Sequence, residues 1–345
     1  MLYRRLGKDG PEVSVLTFGA WQLGDHAYWG ESEQHDAAGA VEAALDGGIN
    51  LFDTAEVYGQ GESERVLGQV LGAHRKDVYV ATKVLPQHCH PERLRAACEA
   101  SLKRLNTDYI DLYQVHWPFA KGPYQDAGGH WVEGDTAIEE AQAILEKLKA
   151  EGKIRWFGVS NFGPQSLKTW KQTGRLVSNQ VAYSLLFRAV EYEIVPICRK
   201  EGVGVLAYMP LMQGILSGRW RTVEEIPPKR RRTRHFSGRR EGTRHQEDGC
   251  ERLLMNTLAE LRELSEVLEL PLATMSLAWL MRQPGVTSVV VGARRPDQVR
   301  RNLLSAQLDL GPALTARLNT ISGNLKHAMG PNADLWQSGE QARVK

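Results

Sequence analysis

The sequence predicts an α/β fold of eight parallel strands, each followed by a helix, and three observations predict it. Short apolar runs recur along the chain, stretches of helical periodicity separate them, and glycine follows several of those stretches. The runs are Val15–Phe18, Ile49–Asp53, Val78–Lys83, Ile110–His116, Ile154–Val159, Ser178–Ala182, Val203–Tyr208 and Ser288–Gly292. Ahead of them, Leu2–Leu6 and Val13–Phe18 read as a hairpin around the turn signal Gly7-Lys8-Asp9-Gly10-Pro11. Between the runs, Leu94, Cys98, Leu102 and Leu105 recur every three or four residues. Ile138, Ala141, Leu145 and Leu148 do the same, as do Leu254, Leu258, Leu261 and Leu264. Gly47, Gly72, Gly152 and Gly202 stand where such segments stop. Eight repeats favour a closed (β/α)₈ barrel over an open doubly wound sheet, a choice that periodicity alone leaves open.

A barrel of this kind takes about 250 residues and more with loop insertions. The 345 residues present are therefore expected to form a single domain over 1–345. Apolar residues make up 42% of the chain, which suits a sizeable core. The net charge of +2 gives no global pull toward nucleic acid or membrane. No stretch of about 18 apolar residues occurs, so no membrane span is expected. No apolar run follows the charged N-terminal residues, so no signal peptide is expected either. Cys89, Cys98, Cys198 and Cys250 are too scattered for a disulfide scaffold. The cytoplasm is the expected compartment.

Two connections are long. Phe119–Asp135 is glycine-rich, and Gln213–Gly249 carries Lys229, Arg230, Arg231, Arg232, Arg234, Arg239, Arg240 and Arg244. Both follow strands, so both belong on the C-terminal face, where barrel enzymes keep their sites. One reading of the basic cluster is a solvated loop, and no RNA-binding aromatic pattern accompanies it. The tail from Gly323 to Lys345 is polar without a clear period. His88-Cys89-His90 lacks a second cluster to complete a tetrahedral site, so no metal is expected.

Ionisable residues close three successive strands: Asp53, Lys83 and His116. Tyr58 follows Asp53 by five residues. Singly, they read as a loop cap, a solvated strand end, a core histidine and a packed aromatic. Together, on consecutive barrel strands, they converge on one pocket. That set suits carbonyl reduction, which needs a proton donor beside the oxygen and a hydride donor at the carbon. A tyrosine of reference pKa about 10 beside a buried ammonium is expected to have that value lowered. Asp53 would hold Lys83 charged, and His116 would orient the substrate oxygen.

With these residues in order, and with Phe52-Asp53-Thr54-Ala55 and Gln114-Val115-His116-Trp117-Pro118 around them, the chain resembles the aldo-keto reductase superfamily. The likeness extends from Phe18-Gly19-Ala20-Trp21 to Gln298 and Asn302, and Gly158-Val159-Ser160-Asn161-Phe162 is similar to bacterial members. The resemblance implies a (β/α)₈ TIM barrel closed at its bottom by an N-terminal β-hairpin, with long loops on the C-terminal face. It implies Asp53, Tyr58, Lys83 and His116 as the catalytic residues. It implies NADPH as cofactor, with NADH an alternative. Ser160 and Asn161 would hold the nicotinamide carboxamide beside Gln180, and Tyr208 would stack on the ring. Pro210, Leu211, Gln213, Gly214 and Leu216 would line the pyrophosphate path, and Gly292, Arg294, Gln298 and Asn302 would surround the adenosine end.

The chain departs from the pattern in places. Met209 stands where relatives often have serine, Val291 where proline is frequent, and Gly292-Ala293 where some carry a lysine–serine pair. Arg294, with Arg295, would then supply charge to a 2′-phosphate. The same resemblance gives the basic loop a second reading, as a clamp over the cofactor. Ser160-Asn161 also has a plainer reading, as a cap before Gly163-Pro164.

Trp21, Tyr28, Trp29 and Trp117 would form the substrate pocket, and Trp336 in the tail would either cap it or pack on the surface. A small-molecule carbonyl compound is the expected partner, with neither nucleic acid nor membrane; charge and composition reveal no oligomeric state. Two other functions share these residues: a nicotinamide-binding regulatory or sensor module of slow turnover, and physiological oxidation of an alcohol or sugar.

Overall fold

Strands rich in valine, isoleucine, leucine and alanine are buried on both faces, which suits parallel pairing under a layer of helices. The computed structural model, which describes residues 1–29, 34–119, 124–125, 131–132 and 137–345, closes eight of them into a barrel. They are β1 (Leu16–Gly19), β2 (Leu51–Asp53), β3 (Tyr79–Val84), β4 (Ile110–Val115), β5 (Ile154–Ser160), β6 (Ser178–Ala182), β7 (Gly204–Tyr208) and β8 (Val286–Gly292). Each pairs in parallel with its sequence neighbour, and β8 returns to β1 in register from Val289 against Leu16 to Gly292 against Gly19. Closure therefore decides between the barrel and the open sheet.

The hairpin departs slightly from expectation. Tyr3–Arg5 pairs antiparallel with Glu12–Ser14, but the second arm does not run on to Phe18. Ser14 donates from Oγ to the Leu16 carbonyl and from its backbone N to Asn50 Oδ1. The chain thus breaks at Val15 and enters the barrel as a separate strand.

Side chains alternate along each strand, so one set in every strand points inward. Leu51, Ala81, Leu112, Leu206 and Val290 form an apolar layer, and Leu6 and Val13 of the hairpin pack with it. Two residues further along the same strands stand Asp53, Lys83, Gln114, Tyr208 and Gly292. The polar set thus lies one layer above an apolar floor. Outside the barrel, the helix Pro91–Leu105 buries Leu94, Cys98, Leu102 and Leu105. The helix Glu251–Val267 buries Leu254, Leu258 and Leu261. Gly202 caps the helix Ile194–Glu201 at φ 68°, in the left-handed region where glycine is unstrained. Among the described residues no single helix is long and apolar enough to cross a membrane.

The two long connections behave differently. Of the glycine-rich one, Tyr124–Gln125 pairs antiparallel with Trp131–Val132, and most of the rest lies outside the described residues. The basic connection is not the freely solvated loop its charge suggests. Arg234, His235 and Phe236 are buried. Arg234 pairs with Glu247 through Nε, and its Nη atoms donate to the carbonyls of Met329, Asn332 and Asp334. Its other end, at Arg239, stands in solvent. The C-terminal expectation is also corrected. The helix Gly311–Met329 runs through Gly323, and the chain beyond it folds back, with Asp334 fully buried against Arg343.

His235 gives this loop a pH signature. Its Nε2 lies 2.8 Å from the Leu186 carbonyl and its Nδ1 3.1 Å from Thr233 Oγ1. Burial, first of all, pushes its pKa down to about 4, so the fold holds it neutral while the unfolded chain protonates near 6.5. Its contribution is complete above about pH 6.5 and is lost as pH falls toward 4, amounting to about 3 kcal/mol at the end. Urea unfolding at pH 7 and pH 4.5 should show this slope in the native protein and a shallower one in His235→Gln; identical slopes would remove His235 from the account.

Candidate active site

The mouth of the barrel is organised around Lys83, which is fully buried. An ammonium has three N–H donors and no acceptor. The Lys83 Nζ donates to Asp53 Oδ1 at 2.7 Å, to the Thr54 carbonyl at 2.8 Å and to the Tyr58 hydroxyl at 3.4 Å. The other Asp53 oxygen accepts from Gln180 Nε2 at 2.8 Å and from Gln114 Nε2 at 3.5 Å. Four strands thus contribute to one network, because their inward positions lie at the same height.

Tyr58 reaches that network from a tight turn, Tyr58–Gly61, directly after β2. Gly59 has φ 57°, and a Cβ there would overlap the Gly24 carbonyl. The turn therefore needs glycine, and it fixes the ring above Lys83, whose Nζ lies 4.9 Å from the ring centre. Trp21 stacks on Tyr58 with centroids 5.5 Å apart, and His116 meets its edge at 5.8 Å.

Burial dominates the ionisation here and corrects one expectation. Tyr58 has its pKa raised, not lowered: burial of the phenolate outweighs the pull of Lys83, and Asp53 adds to the rise. Burial works against charge on Lys83 as well, yet Asp53 and Tyr58 overcome it and raise its pKa. His116 falls well below the usual imidazole value through burial, then through Lys83 and Arg343. Its Nδ1 is buried without a hydrogen-bond partner among the described residues. At neutral pH the site therefore presents a neutral phenol and a neutral imidazole beside a charged lysine.

Beyond them, Asn161 adopts φ 64° at the end of β5. Its Nδ2 donates to the His116 carbonyl at 3.0 Å, and its Oδ1 accepts from the Tyr208 hydroxyl at 2.7 Å. Ser160 Oγ donates to the Gln180 carbonyl. Neither Ser160 nor Asn161 caps the next helix, Pro164–Thr173, whose N-cap is Gly163. Trp336 does reach the mouth: it lies parallel to Tyr208 at 6.3 Å and edge-on to Trp117 at 6.0 Å.

A cavity of about 1240 Å³ runs from Tyr58 and His116 to Asn302. Trp21, Tyr28, Trp29 and Trp117 line it, as do Ser160, Asn161, Gln180, Tyr208, Pro210, Leu211, Gln213, Gly214, Gly292, Arg294, Gln298 and Asn302. Leu216 does not; it is fully buried in the core, because the turn Met212–Ser217 directs it away. That turn and its approach hold Met209, Met212, Gln213 and Gly214 at positive φ, a concentration of strain of the kind kept at functional sites. Arg294 lines the cavity with its Nη1 on the Trp29 carbonyl at 2.7 Å. The basic loop crosses the cavity: Lys229 Nζ donates to the Ala27 carbonyl, Tyr28 donates to the Lys229 carbonyl, and Arg230 lies over Trp29 and Trp220.

Sequence reasoning missed Gln114, although its alternation with Leu112 marks it as inward. It also missed Arg343, for which no local signal exists. Among the described residues no three metal-ligating side chains gather; His88 instead faces Glu56 at 2.8 Å.

The aldo/keto reductase family model matches residues 15–322. An NADH-specific methylglyoxal reductase from Escherichia coli is 31% identical over 89% of this chain and 94% of its own. A Klebsiella pneumoniae aldo/keto reductase solved with NADP and acetate superposes with a TM-score of 0.70 at 27% identity, covering 99% of both chains. The glycerol dehydrogenase of Gluconobacter oxydans does so with a TM-score of 0.72 at 28% identity, covering 96% of both.

The buried pair makes an energetic prediction. Lys83→Met strands the Asp53 carboxylate and should cost about 3–5 kcal/mol of stability. The double variant Asp53→Asn/Lys83→Met removes both charges and should recover most of that loss in urea unfolding. A double variant as unstable as the single one would show that packing, and not charge compensation, sets the cost.

Proposed function

Because the chain belongs to the aldo/keto reductase family, we propose that it is an NAD(P)H-dependent oxidoreductase that reduces a small aldehyde or ketone to the alcohol, with Tyr58 as proton donor. The observation that carries this reading is the Lys83 network, which places a neutral phenol and a neutral imidazole together at one end of a long basic cavity.

The cavity suits a dinucleotide. It is elongated, its far end is rich in arginine, and Tyr208 offers an aromatic face near Tyr58 and His116. Ser160, Asn161 and Gln180 would bind a carboxamide at that end, and Gln213, Gly214 and Arg230 a pyrophosphate along the wall. Arg294, Gln298 and Asn302 would take the adenosine end. When bound, the reduced nicotinamide supplies a hydride to the carbonyl carbon. The cofactor is NADPH, with NADH the alternative: the Klebsiella structure holds NADP and the E. coli relative is NADH-specific.

The protein's own residues would do the rest. His116 is neutral and so can donate one hydrogen bond to the carbonyl oxygen without competing for its proton. Tyr58, a protonated acid whose conjugate base sits against Lys83, transfers its O–H proton to the oxygen as negative charge develops there. Asp53 holds Lys83 charged, and Gln180 and Gln114 hold Asp53. Trp21, Trp117 and Trp336 exclude water, which strengthens each of these interactions.

Following NADPH absorbance with an aromatic aldehyde tests the assignment. Tyr58→Phe should lose about 10²–10⁴-fold in kcat while cofactor binding, read by tryptophan fluorescence, survives. Equal turnover by both proteins would exclude Tyr58; cofactor binding without turnover in the native protein would point to a binding module. The pH profile is a second test. His116 stays neutral above its depressed pKa and Tyr58 stays protonated below its raised one, so reduction rates should be flat between about pH 6.5 and pH 9. An inflection near 6.5 would mean that a protonated His116 takes part.

A further inference from the structure

The inner end of the cavity contains a charged group that neither the proton transfer nor the cofactor path uses. Arg343 comes from the C-terminal segment, 227 residues beyond His116 in the chain. Its guanidinium lies 3.7 Å over the Trp117 ring, and the side chain lines the same cavity as Tyr58 and His116.

Asp334, fully buried, grips two of its three nitrogens. Nε donates to Oδ2 at 2.8 Å and Nη2 to Oδ1 at 2.9 Å. This bidentate pair fixes the plane and the rotamer of the guanidinium. The third nitrogen, Nη1, has no partner among the described residues, and it is not sealed in the core. A guanidinium held flat by a carboxylate on one edge presents its other edge in a set direction, and this one does so on a cavity wall. Trp336, from the same segment, lies across from it against Trp117 and Tyr208.

From this geometry we propose that Arg343 is a specificity-determining residue whose Nη1 edge reads a second oxygen on the substrate, a few atoms from the reacting carbonyl. The proposal rests on the reductase reading above. Trp117 adjoins His116 in the chain and lines the same cavity as Tyr58 and His116, and Arg343 lies on that ring. The oxygen it reads is an acceptor, either a second carbonyl or a carboxylate. Both offer lone pairs to a guanidinium edge. The reaction itself is unaltered: one carbonyl gains a hydride at carbon and a proton at oxygen, and the second oxygen is bound and unchanged. A hydrogen bond from a charged donor to a substrate oxygen should be worth about 10–100-fold in discrimination, because a substrate without that oxygen leaves the donor unpaired in a closed pocket.

The test compares two matched pairs in the native protein, Arg343→Lys and Arg343→Gln. Methyl benzoylformate and 2-methoxyacetophenone differ by one vicinal carbonyl oxygen; 4-carboxybenzaldehyde and 4-methylbenzaldehyde differ by a carboxylate. The native protein should favour the oxygen-bearing member of a pair in kcat/KM, and both variants should cut that ratio about 10–100-fold, mainly through KM. The pair that responds identifies whether the oxygen is neutral or anionic. Unchanged ratios, or equal losses for both members, would overturn the proposal and leave Arg343 as a clip for the C-terminal segment. A second readout is independent of turnover: quenching of tryptophan fluorescence by phenylglyoxylate should show about 10–100-fold weaker binding in both variants. Absent turnover in the native protein would count against the reductase reading, while the fluorescence titration would still decide the role of Arg343.

Discussion

The buried ion pair between Lys83 and Asp53 is the constraint on which the rest of the site depends. Two charges withdrawn from water cost several kcal/mol each unless every donor and acceptor is met. Here the lysine has its three partners, and the carboxylate accepts from Lys83, Gln180 and Gln114. Those partners come from β2, β3, β4 and β6, so the network exists only if the barrel closes in this register. The apolar layer of Leu51, Ala81, Leu112, Leu206 and Val290 beneath it, with Leu6 and Val13 of the hairpin, is the floor that keeps water from reaching the pair from below.

The same dryness sets the ionisation of the two groups proposed to act on the substrate. Tyr58 and His116 both sit close to an ammonium, and proximity alone would favour a phenolate on one and neutrality on the other. Burial acts on both toward the uncharged form. It overrides Lys83 at Tyr58 and joins Lys83 at His116. A neutral acid beside a neutral donor is the pairing that reduction of a carbonyl requires, and the two can share it because neither pays for a charge of its own.

The walls of the cavity come from segments remote in sequence. Trp21, Tyr28 and Trp29 follow β1, the basic loop follows β7, and Trp336 and Arg343 belong to the last residues of the chain. Buried Arg234 ties the last two together through its bonds to the carbonyls of Met329, Asn332 and Asp334. The basic loop is thus two structures in one: its central part is a packed strut for the C-terminal segment, while Lys229 and Arg230 reach over the cavity to the first segment. The two ends of the cavity are held by one continuous framework.

The amino-acid pattern by itself determined the eight strands, several helix ends marked by glycine and the residues at the strand ends, because these follow from short-range periodicity. Asp53, Lys83 and His116 each close an apolar run, and a two-residue alternation is enough to place Asp53 and Lys83 on the inner face; the same alternation also marks Gln114. Tertiary structure alone decided the rest. Barrel closure, the direction of Leu216, the sign of the Tyr58 shift, the burial of Arg234 and the arrival of Arg343 at Trp117 all depend on contacts between distant segments. Charge in the sequence suggested that the basic loop would be solvated and that Lys83 would acidify Tyr58. Burial reversed both, because the energy of a charge depends on what surrounds it, and in this chain those surroundings come from residues tens of positions away in the sequence.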